Sequence, residues 1–241
     1  MPKLSLVIPV YNEEANLERL HAEIAEAMKG VSEDYEVVVT DDASRDRSWE
    51  IMQAIAARDP HWRVQRFAAN CGETAASSAG MKATSGDLIF TLDADLQNDP
   101  RDIPKFIEAL RGADCVCGSR VHERADNWLR RTSSQVANWV RNKLSDENIT
   151  DAGCTYRAFR KECLAEVKFF RGAHRFLPTL FRMDGYTVVE IPITPRERFA
   201  GESKYGVWNR LFKSFTDLLA VRWMKSRQLR YRIAERKGFP S

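Results

Sequence analysis

The first 120 residues alternate apolar, β-branched segments with segments of helical periodicity, and this alternation constrains the fold more than any other feature. In the first helical segment, Leu17, Leu20, Ile24 and Met28 recur at helical spacing. Continuously apolar strands between helices are typical of an α/β fold, a mostly parallel twisted sheet with helices on both faces. Strands are predicted at residues 4–10, 35–42, 62–68, 87–95 and 113–119, and helices at residues 13–30, 46–58, 73–83 and 101–111.

The second half of the chain is less regular. We predict a polar helix at about residues 126–145, and a loop, a short strand and the start of a helix within residues 151–164. A further strand is predicted at residues 186–193, and one or two helices from Tyr205 to about Arg232. The chain therefore divides into an α/β domain at residues 1–204 and a C-terminal extension at residues 205–241.

Polar residues follow three of the predicted strands, in the segments Pro9–Glu13, Asp41–Ser44 and Asp93–Asp95. The carboxyl ends of neighbouring parallel strands share one edge of a sheet, and ligands of such sheets bind beyond that edge. The convergence of three polar strand ends predicts a ligand site there.

Asp93 and Asp95 directly follow a hydrophobic run. Carboxylates repel one another and resist burial, so a close pair of them needs a partner. Hard oxygen ligands suit Mg²⁺ or Mn²⁺, which commonly keep positions open for substrate phosphates. The alternative is a solvated acidic turn in which Asp99 caps a helix ahead of Pro100. The position of the pair after a buried strand favours the cation.

Composition narrows the class of protein. With 241 residues, 44% hydrophobic and 29% charged, the chain is expected to be globular rather than disordered. Five cysteines at irregular spacing argue against a disulfide framework and indicate a reducing, cytosolic compartment. The N-terminal apolar run is too short for a signal peptide, and no apolar stretch reaches the ~20 residues that span a bilayer. The four histidines are isolated and offer no metal site.

The C-terminal extension is basic and amphipathic. Ten Lys or Arg residues and three acidic residues give positions 201–241 a formal charge of +7, against +3 for the whole chain. Such a helix fits the interface of an anionic membrane. A helix packed on the domain's own core is the alternative, and nucleic acid is disfavoured because nothing else in the chain forms a basic groove. The apolar residues at helical spacing are Trp208, Leu211, Phe212, Phe215, Leu218, Leu219 and Trp223.

Six motifs occur in an order that resembles a known family. They are LSLVIPVYNEEANL, VVVTDDAS, ATSGDLIFTLDADLQNDP, CVCGSR, DAGCTYRAFR and RFAGESKYG. Together they resemble the polyprenyl-phosphate branch of the family 2 glycosyltransferases, which includes dolichol-phosphate mannose synthases and bacterial undecaprenyl-phosphate sugar transferases. The resemblance implies a GT-A fold. It also implies inverting transfer of a sugar from a UDP- or GDP-linked donor to a polyprenyl phosphate.

The resemblance also implies a donor site. Asp93, Asp95 and Gln97 would hold Mg²⁺ or Mn²⁺. For Asp41 and Asp42, the alternative to nucleotide binding is a simple capped turn. At position 73 this chain has Glu, where the family often has Lys or Gln. The implied nucleotide-binding residues are Pro9, Tyr11, Asn12, Glu13, Asp41, Asp42, Asn70, Gly72 and Asp93.

On the acceptor side, the resemblance implies basic residues that bind the lipid phosphate. Asp95, Asp151 and Lys204 are the expected catalytic residues, with Asp151 orienting a basic group or the phosphate rather than acting as a base. Arginine suits phosphate because its donors form a bidentate fork. For Arg130 and Arg131, the alternative to phosphate binding is that they are surface residues that keep the protein soluble. For the motif RFAGESKYG, the alternative is an ordinary turn. The implied phosphate-binding residues are Arg120, Arg130, Arg131, Arg198, Ser203 and Lys204.

These implications predict a peripheral enzyme at the cytoplasmic face of a membrane. Its partners would be a nucleotide-sugar, a polyprenyl phosphate and the membrane surface, with a membrane-anchoring partner or a second copy as further candidates and no nucleic acid. The first alternative is a family 2 glycosyltransferase that acts on a sugar hydroxyl, a reaction that needs a general base. The second is a non-catalytic nucleotide-sugar-binding subunit.

Overall fold

The computed structural model describes residues 3–120, 151, 154–194, 196, 207–229, 233–235 and 237–238, without the side chains of 207–214. The predicted helix at 126–145 lies outside this part of the chain, as do the side chains of Trp208, Leu211 and Phe212. Five predicted phosphate-binding residues also lie outside it, namely Arg130, Arg131, Arg198, Ser203 and Lys204.

Seven strands form one mixed sheet. They are β1 (Leu4–Val10), β2 (Tyr35–Asp41), β3 (Trp62–Arg66), β4 (Leu88–Thr91), β5 (Cys115–Ser119), β6 (Arg157–Arg160) and β7 (Val188–Pro192). Their order across the sheet is β3-β2-β1-β4-β6-β5-β7. Strand β6 runs antiparallel to both of its neighbours, and the other four pairs are parallel. The prediction of a mostly parallel α/β sheet is confirmed.

Helices cover both faces of the sheet. They are α1 (Leu17–Met28), α2 (Ser48–Arg58), α3 (Glu73–Ala83), α4 (Ile103–Ala109), α5 (Leu177–Met183) and α6 (Val207–Ser226). Alternate residues of one strand face opposite layers: Leu6 and Ile8 pack with α1, α2 and α4, whereas Val7 packs with α3 and α5. A short 3₁₀ turn, Pro100–Asp102, precedes α4, and Asp99 caps it by accepting a hydrogen bond from the Arg101 N–H at 3.0 Å.

Helix α3 packs closely against β1 at Gly80. A Cβ atom at Gly80 would lie 2.6 Å from Cγ1 of Val7, well inside van der Waals contact. The absence of a side chain therefore lets α3 approach β1. This packing holds the N-terminus of α3, with Glu73 and Thr74, beside the carboxyl ends of β1 and β4.

Helix α6 is a single helix with two different faces. Leu218 and Val221 are buried against Phe176 and Leu180, which attaches the helix to α5. Phe215, Leu219 and Trp223 follow one another at four-residue spacing and are 47%, 44% and 63% exposed. The extension thus packs on the domain and still presents an apolar stripe. Within the described residues, no helix has the length and apolarity needed to cross a bilayer.

Candidate active site

The carboxyl end of β4 carries an acidic cluster. Asp95 is buried, and one of its oxygens accepts a hydrogen bond from the Gln97 N–H at 3.1 Å. Asp93 accepts a hydrogen bond from the Thr155 hydroxyl. Burial, together with the negative charges of Glu73 and Asp95, raises the pKa of Asp93 to about 7. The cluster therefore concentrates negative charge that its protein neighbours neutralise only in part.

This cluster fits a divalent cation that shares its ligands with a substrate. The described residues contain no group of three or more His, Cys, Asp or Glu side chains arranged to hold a metal. Two carboxylates are enough for Mg²⁺ or Mn²⁺ when waters and phosphate oxygens complete the coordination. Burial raises the pKa of Asp93, with the negative charges of Glu73 and Asp95 adding to the rise, and a bound cation would favour the ionised carboxylate. Asp93 and Asp95 would hold the ion, with the Gln97 side chain next to them in sequence.

The loops that follow β1, β2 and β4 each contain a non-glycine residue with a positive φ angle. Asn12, Ala43 and Leu96 have φ angles of 54°, 58° and 62°, and they are the only non-glycine residues with positive φ in the described part of the chain. Such conformations cluster at functional sites because the surrounding structure must hold them in place. Here the loops hold one another: the Asn12 N–H donates to Ser44 Oγ at 2.9 Å, and Asn12 Oδ1 accepts from the Arg45 N–H at 2.8 Å.

The remaining predicted residues of β1 lie in or beside these loops. The Glu13 N–H donates to Ser48 Oγ at 2.8 Å, and the Glu13 carboxylate accepts from Asn16 at 2.6 Å. Tyr11 immediately precedes Asn12 and is partly exposed. Pro9 and Asp93 line the same small cavity.

Asp42 organises the loop that leads into α3. Its two carboxylate oxygens accept hydrogen bonds from the Asn70 side chain and from the N–H groups of Cys71 and Gly72, at 2.6–2.8 Å. Gly72 has a φ of 91°, which a residue with a side chain rarely adopts. The structure thus joins Asp42, Asn70 and Gly72 in one turn. Asp41 is fully buried and lies 2.9 Å from Nε of Arg66.

Arg120 and Asp151 form a close ion pair beside the acidic cluster. Nε of Arg120 donates to Asp151 Oδ2 at 2.8 Å, and Nη2 lies 3.3 Å from Oδ1. The Asp151 N–H in turn lies 3.3 Å from Glu190 Oε1. The positive charge of Arg120 also acts on Asp93 and partly offsets the rise in its pKa. A guanidinium of fixed orientation therefore faces the acidic end of β4.

Sequence reasoning missed a second polar group on the α3 side of the site. His174 Nδ1 lies 2.6 Å from Thr74 Oγ1, and its Nε2 lies 3.3 Å from Glu73 Oε1. Arg157 is 2% exposed and donates to the backbone oxygen of His174. The residues that make these contacts lie up to 100 positions apart in sequence, so no local sequence pattern could predict them. The one available signal was Glu73, an acidic residue where the family often has Lys or Gln.

Comparison with known proteins identifies the family. Residues 5–168 match the family described as Glycosyl transferase family 2. The chain belongs to this family. The motif order and the position of the acidic cluster after β4 agree with that membership.

Several curated relatives of this family 2 glycosyltransferase carry the same name, and two of them are described here. An undecaprenyl-phosphate 4-deoxy-4-formamido-L-arabinose transferase from Aeromonas hydrophila is 37% identical over 205 residues, which cover 85% of this chain and 63% of the relative. The protein of the same name from Pseudomonas aeruginosa strain PAO1 is 39% identical over 218 residues, which cover 90% and 64%. The chain therefore spans somewhat less than two thirds of the length of these relatives.

Solved structures show the GT-A type of fold. Glucosyl-3-phosphoglycerate synthase from Mycobacterium tuberculosis, in complex with Mn²⁺, UDP-glucose and phosphoglyceric acid, superimposes with a TM-score of 0.70 at 20% identity, covering 95% of this chain and 81% of that one. A mannosyltransferase from Pyrobaculum calidifontis, in complex with GDP-mannose and Mn²⁺, gives a TM-score of 0.63 at 16% identity, covering 93% and 70%. At these identities the likeness concerns the fold alone.

Proposed function

We propose that this family 2 glycosyltransferase transfers a sugar from a UDP-linked donor to undecaprenyl phosphate, with Mg²⁺ or Mn²⁺ and with inversion at the anomeric carbon. The observation that carries the proposal is the Arg120–Asp151 pair beside the acidic end of β4, which places a fixed cation next to the candidate metal ligands. The names of the curated relatives support the lipid acceptor. Those names also make 4-deoxy-4-formamido-L-arabinose the first sugar to test.

On the donor side, the turn of Asp42, Asn70 and Gly72 and the loop at Asn12 would bind the nucleotide. Asp93 and Asp95 would hold the cation, which supplies positive charge to the leaving diphosphate. The backbone of these loops is already fixed by mutual hydrogen bonds. Little ordering would then remain for substrate binding, which favours affinity.

On the acceptor side, a phosphate oxygen would form the new bond to the anomeric carbon while the bond from that carbon to the UDP oxygen breaks. The attacking phosphate is already ionised near neutral pH, so the step needs no proton transfer to a base. It needs positive charge that brings two anions together. Arg120 would bind the acceptor phosphate, and Asp151 would act as a positioning residue that orients the guanidinium. Lys204 would add a second cation.

The apolar stripe of α6 would bring the site to the acceptor. Phe215, Leu219 and Trp223 form an exposed apolar line, and Arg222 and Lys225 lie on the same helix. Aromatic and aliphatic side chains enter the interfacial region of a bilayer while nearby cations meet anionic headgroups. We therefore propose peripheral binding at the cytoplasmic face, where the nucleotide-sugar is available.

A transfer assay tests the proposal directly. The full chain is incubated with UDP-linked 4-deoxy-4-formamido-L-arabinose, a short-chain polyprenyl phosphate and Mn²⁺, and the glycolipid is detected by mass spectrometry. We expect a phosphodiester-linked product that does not form after chelation of the metal. Transfer to a sugar hydroxyl, with none to the lipid phosphate, would favour the first alternative function. Binding of UDP without any transfer would favour the non-catalytic subunit.

A further inference from the structure

The two adjacent carboxylates at the end of β2 make different contacts. Asp42 accepts hydrogen bonds from the turn that leads into α3. Asp41 is the last residue of β2 and is fully buried. Its Oδ1 accepts a hydrogen bond from the Ser44 N–H at 3.1 Å, whereas its Oδ2 has no hydrogen-bond partner within the described residues. A buried carboxylate oxygen without a hydrogen bond needs a positive charge close by.

Arg66, at the end of the neighbouring strand β3, supplies that charge. It is the direct partner of Asp41 in the register of β2 and β3. Its Nε lies 2.9 Å from Asp41 Oδ2, and its Nη2 donates to the backbone oxygen of Ser44 at 2.8 Å. The guanidinium carbon also lies over the ring of Trp49, 5.6 Å from the ring centre. These three contacts fix the orientation of the guanidinium, which joins the end of β2 to the loop that follows it.

Ser44 links this ion pair to the donor side of the candidate site. Its Oγ accepts a hydrogen bond from the Asn12 N–H at 2.9 Å. Asn12 and Ala43, the residue before Ser44, have φ angles of 54° and 58°. Residues with side chains rarely adopt such angles, so surrounding contacts must hold the backbone there. Asp41 binds the N–H of Ser44 and Arg66 binds its carbonyl oxygen, so the pair fixes the backbone of Ser44 at both of its polar groups.

We propose that Arg66 is a positioning residue for the nucleotide: it neutralises Asp41 and holds the loops after β1 and β2 in the conformation that binds the donor. Asp41 would then support these loops from within the protein rather than contact the nucleotide, since its side chain is fully buried. Loops that are ordered before the donor arrives cost less binding free energy to order. This inference rests on the proposed function and adds the residue that orders the donor side in advance.

Calorimetric binding of UDP with Mn²⁺ tests this role without relying on turnover. Arg66→Gln removes the positive charge and keeps most of the length of the side chain. It should weaken UDP binding roughly 10-fold, because the backbone with positive φ would have to be ordered when the nucleotide binds. Adding Ala43→Gly to this variant should recover most of the lost affinity, since glycine adopts positive φ without a steric cost.

Arg63→Gln is the matched control. Arg63 lies on the same strand, and its Nη1 donates to the buried carboxylate of Glu36 at 2.5 Å. Glu36 lies near the amino end of β2, whereas the candidate site lies beyond the carboxyl end of that strand. The control therefore removes a comparable ion pair, and its UDP affinity should stay at the wild-type value. Equal losses of UDP affinity in Arg63→Gln and Arg66→Gln would reflect a general loss of stability and would overturn the proposal.

Unchanged UDP affinity in folded Arg66→Gln would overturn the positioning role while leaving the proposed function intact. A loss of affinity that Ala43→Gly does not reduce would also overturn it, because Arg66 would then act by another route than the loop. If Arg66→Gln fails to fold, Arg66→Lys decides the matter. Lysine keeps a charge beside Asp41 but lacks the fork that also reaches Ser44, so it should bind UDP more weakly than the wild type, and equal affinity would overturn the proposal. Absence of UDP binding by the wild type would overturn both this role and the proposed function.

Discussion

Asp93 and Asp95 repel each other when no cation is bound, and this repulsion yields a two-sided prediction for Asp95→Asn. The substitution removes a negative charge that helps to raise the pKa of Asp93, so the free energy of unfolding of the metal-free protein should stay equal or rise. Mn²⁺-dependent binding of UDP should be lost, because a neutral amide replaces an ionised ligand. Chemical denaturation and calorimetry measure the two effects. Asp87→Asn, at an exposed position just before β4, is the control and should change neither. Near-normal metal dependence in Asp95→Asn would remove Asp95 from the metal site.

Glu36 gives a second prediction at the residue scale, concerning pH. Burial opposes ionisation of its carboxylate, yet hydrogen bonds from Ser85, Ser5 and Arg63 outweigh burial and lower its pKa from 4.5 to about 2. Because the folded-state pKa is lowered, this stabilisation is complete above pH 4.5 and is lost as the pH falls to about 2. A shift of this size corresponds to about 3 kcal/mol.

Glu36→Gln should therefore be less stable than the wild type at pH 7, and the difference should shrink between pH 4.5 and pH 2. Urea denaturation across this range measures it. Glu33→Gln, at a partly exposed position two residues before β2, is the matched control and should follow the wild-type curve. If the free energies of unfolding of the wild type and Glu36→Gln changed in parallel with pH, the charge of Glu36 would not contribute to stability.

At the scale of elements, the strands that were found from sequence are those with long apolar runs. Strands β1 and β2 and helix α3 match their predicted bounds to within one residue, because burial on both faces of the sheet leaves a continuous signal. The place of β6 could not be predicted. It has four residues, begins and ends with arginine, and inserts antiparallel between β4 and β5. Helix α5, which has seven residues, was not predicted from the sequence either.

The residues of the candidate site also fall into two groups, those that could be predicted from the sequence and those that could not. Residues at strand ends, such as Asp93 and Asp42, could be predicted because parallel topology brings those ends to one edge. His174, Arg157 and Thr155 could not, because their positions follow from the insertion of β6 and from contacts distant in sequence. A resemblance to a family supplies strand-end motifs but not the side chains that pack beneath them.

Helix α6 carries the prediction at this scale. Substituting Phe215, Leu219 and Trp223 together by serine should abolish binding to anionic vesicles, because the exposed apolar stripe is removed. The domain should stay folded, since exposed positions contribute little to stability, while Leu218 and Val221 keep the helix attached to α5. Co-sedimentation with phosphatidylglycerol vesicles and circular dichroism measure the two outcomes. The control is Ile233→Ser, at an exposed apolar position beyond the helix. Undiminished vesicle binding by the triple variant would contradict the membrane assignment of α6.

At the scale of the whole molecule, the proposed function would place the two substrates on different parts of the fold. In the proposed function, the ends of β1, β2 and β4 would form the donor side, and Arg120 with Asp151 would form the described part of the acceptor side. Arg196 contributes to this arrangement: it pairs with Asp99 at 2.8 Å and with Glu23, so the exit of β7 is fixed against the segment that follows the acidic cluster. In sequence, Lys204 follows this fixed point and precedes α6.

Lys204 therefore provides the prediction that distinguishes a phosphate acceptor from a hydroxyl acceptor. If the acceptor is a lipid phosphate, two anions meet at the site, and the charge of Lys204 would stabilise their approach and the transition state. Removing one such group typically lowers the rate by roughly 10²–10³, so Lys204→Ala should reduce transfer to polyprenyl phosphate by about that factor. Binding of UDP with Mn²⁺ should change little, because the predicted base and metal contacts belong to β1, β2 and β4. Lys204→Arg should recover only part of the activity, since a planar fork replaces a compact charge on a flexible stem.

Steady-state transfer with a varied short-chain polyprenyl phosphate measures this effect, alongside calorimetric binding of UDP. Lys237→Ala is the matched control, because it removes a lysine from the same basic extension at an exposed position. If Lys204 were an ordinary exposed lysine in a turn, its substitution by alanine would change the free energy of unfolding by at most a few tenths of a kcal/mol. Transfer by Lys204→Ala at the rate of Lys237→Ala would therefore remove the electrostatic argument for a phosphate acceptor. A sugar hydroxyl would then be the better candidate for the group that attacks the donor.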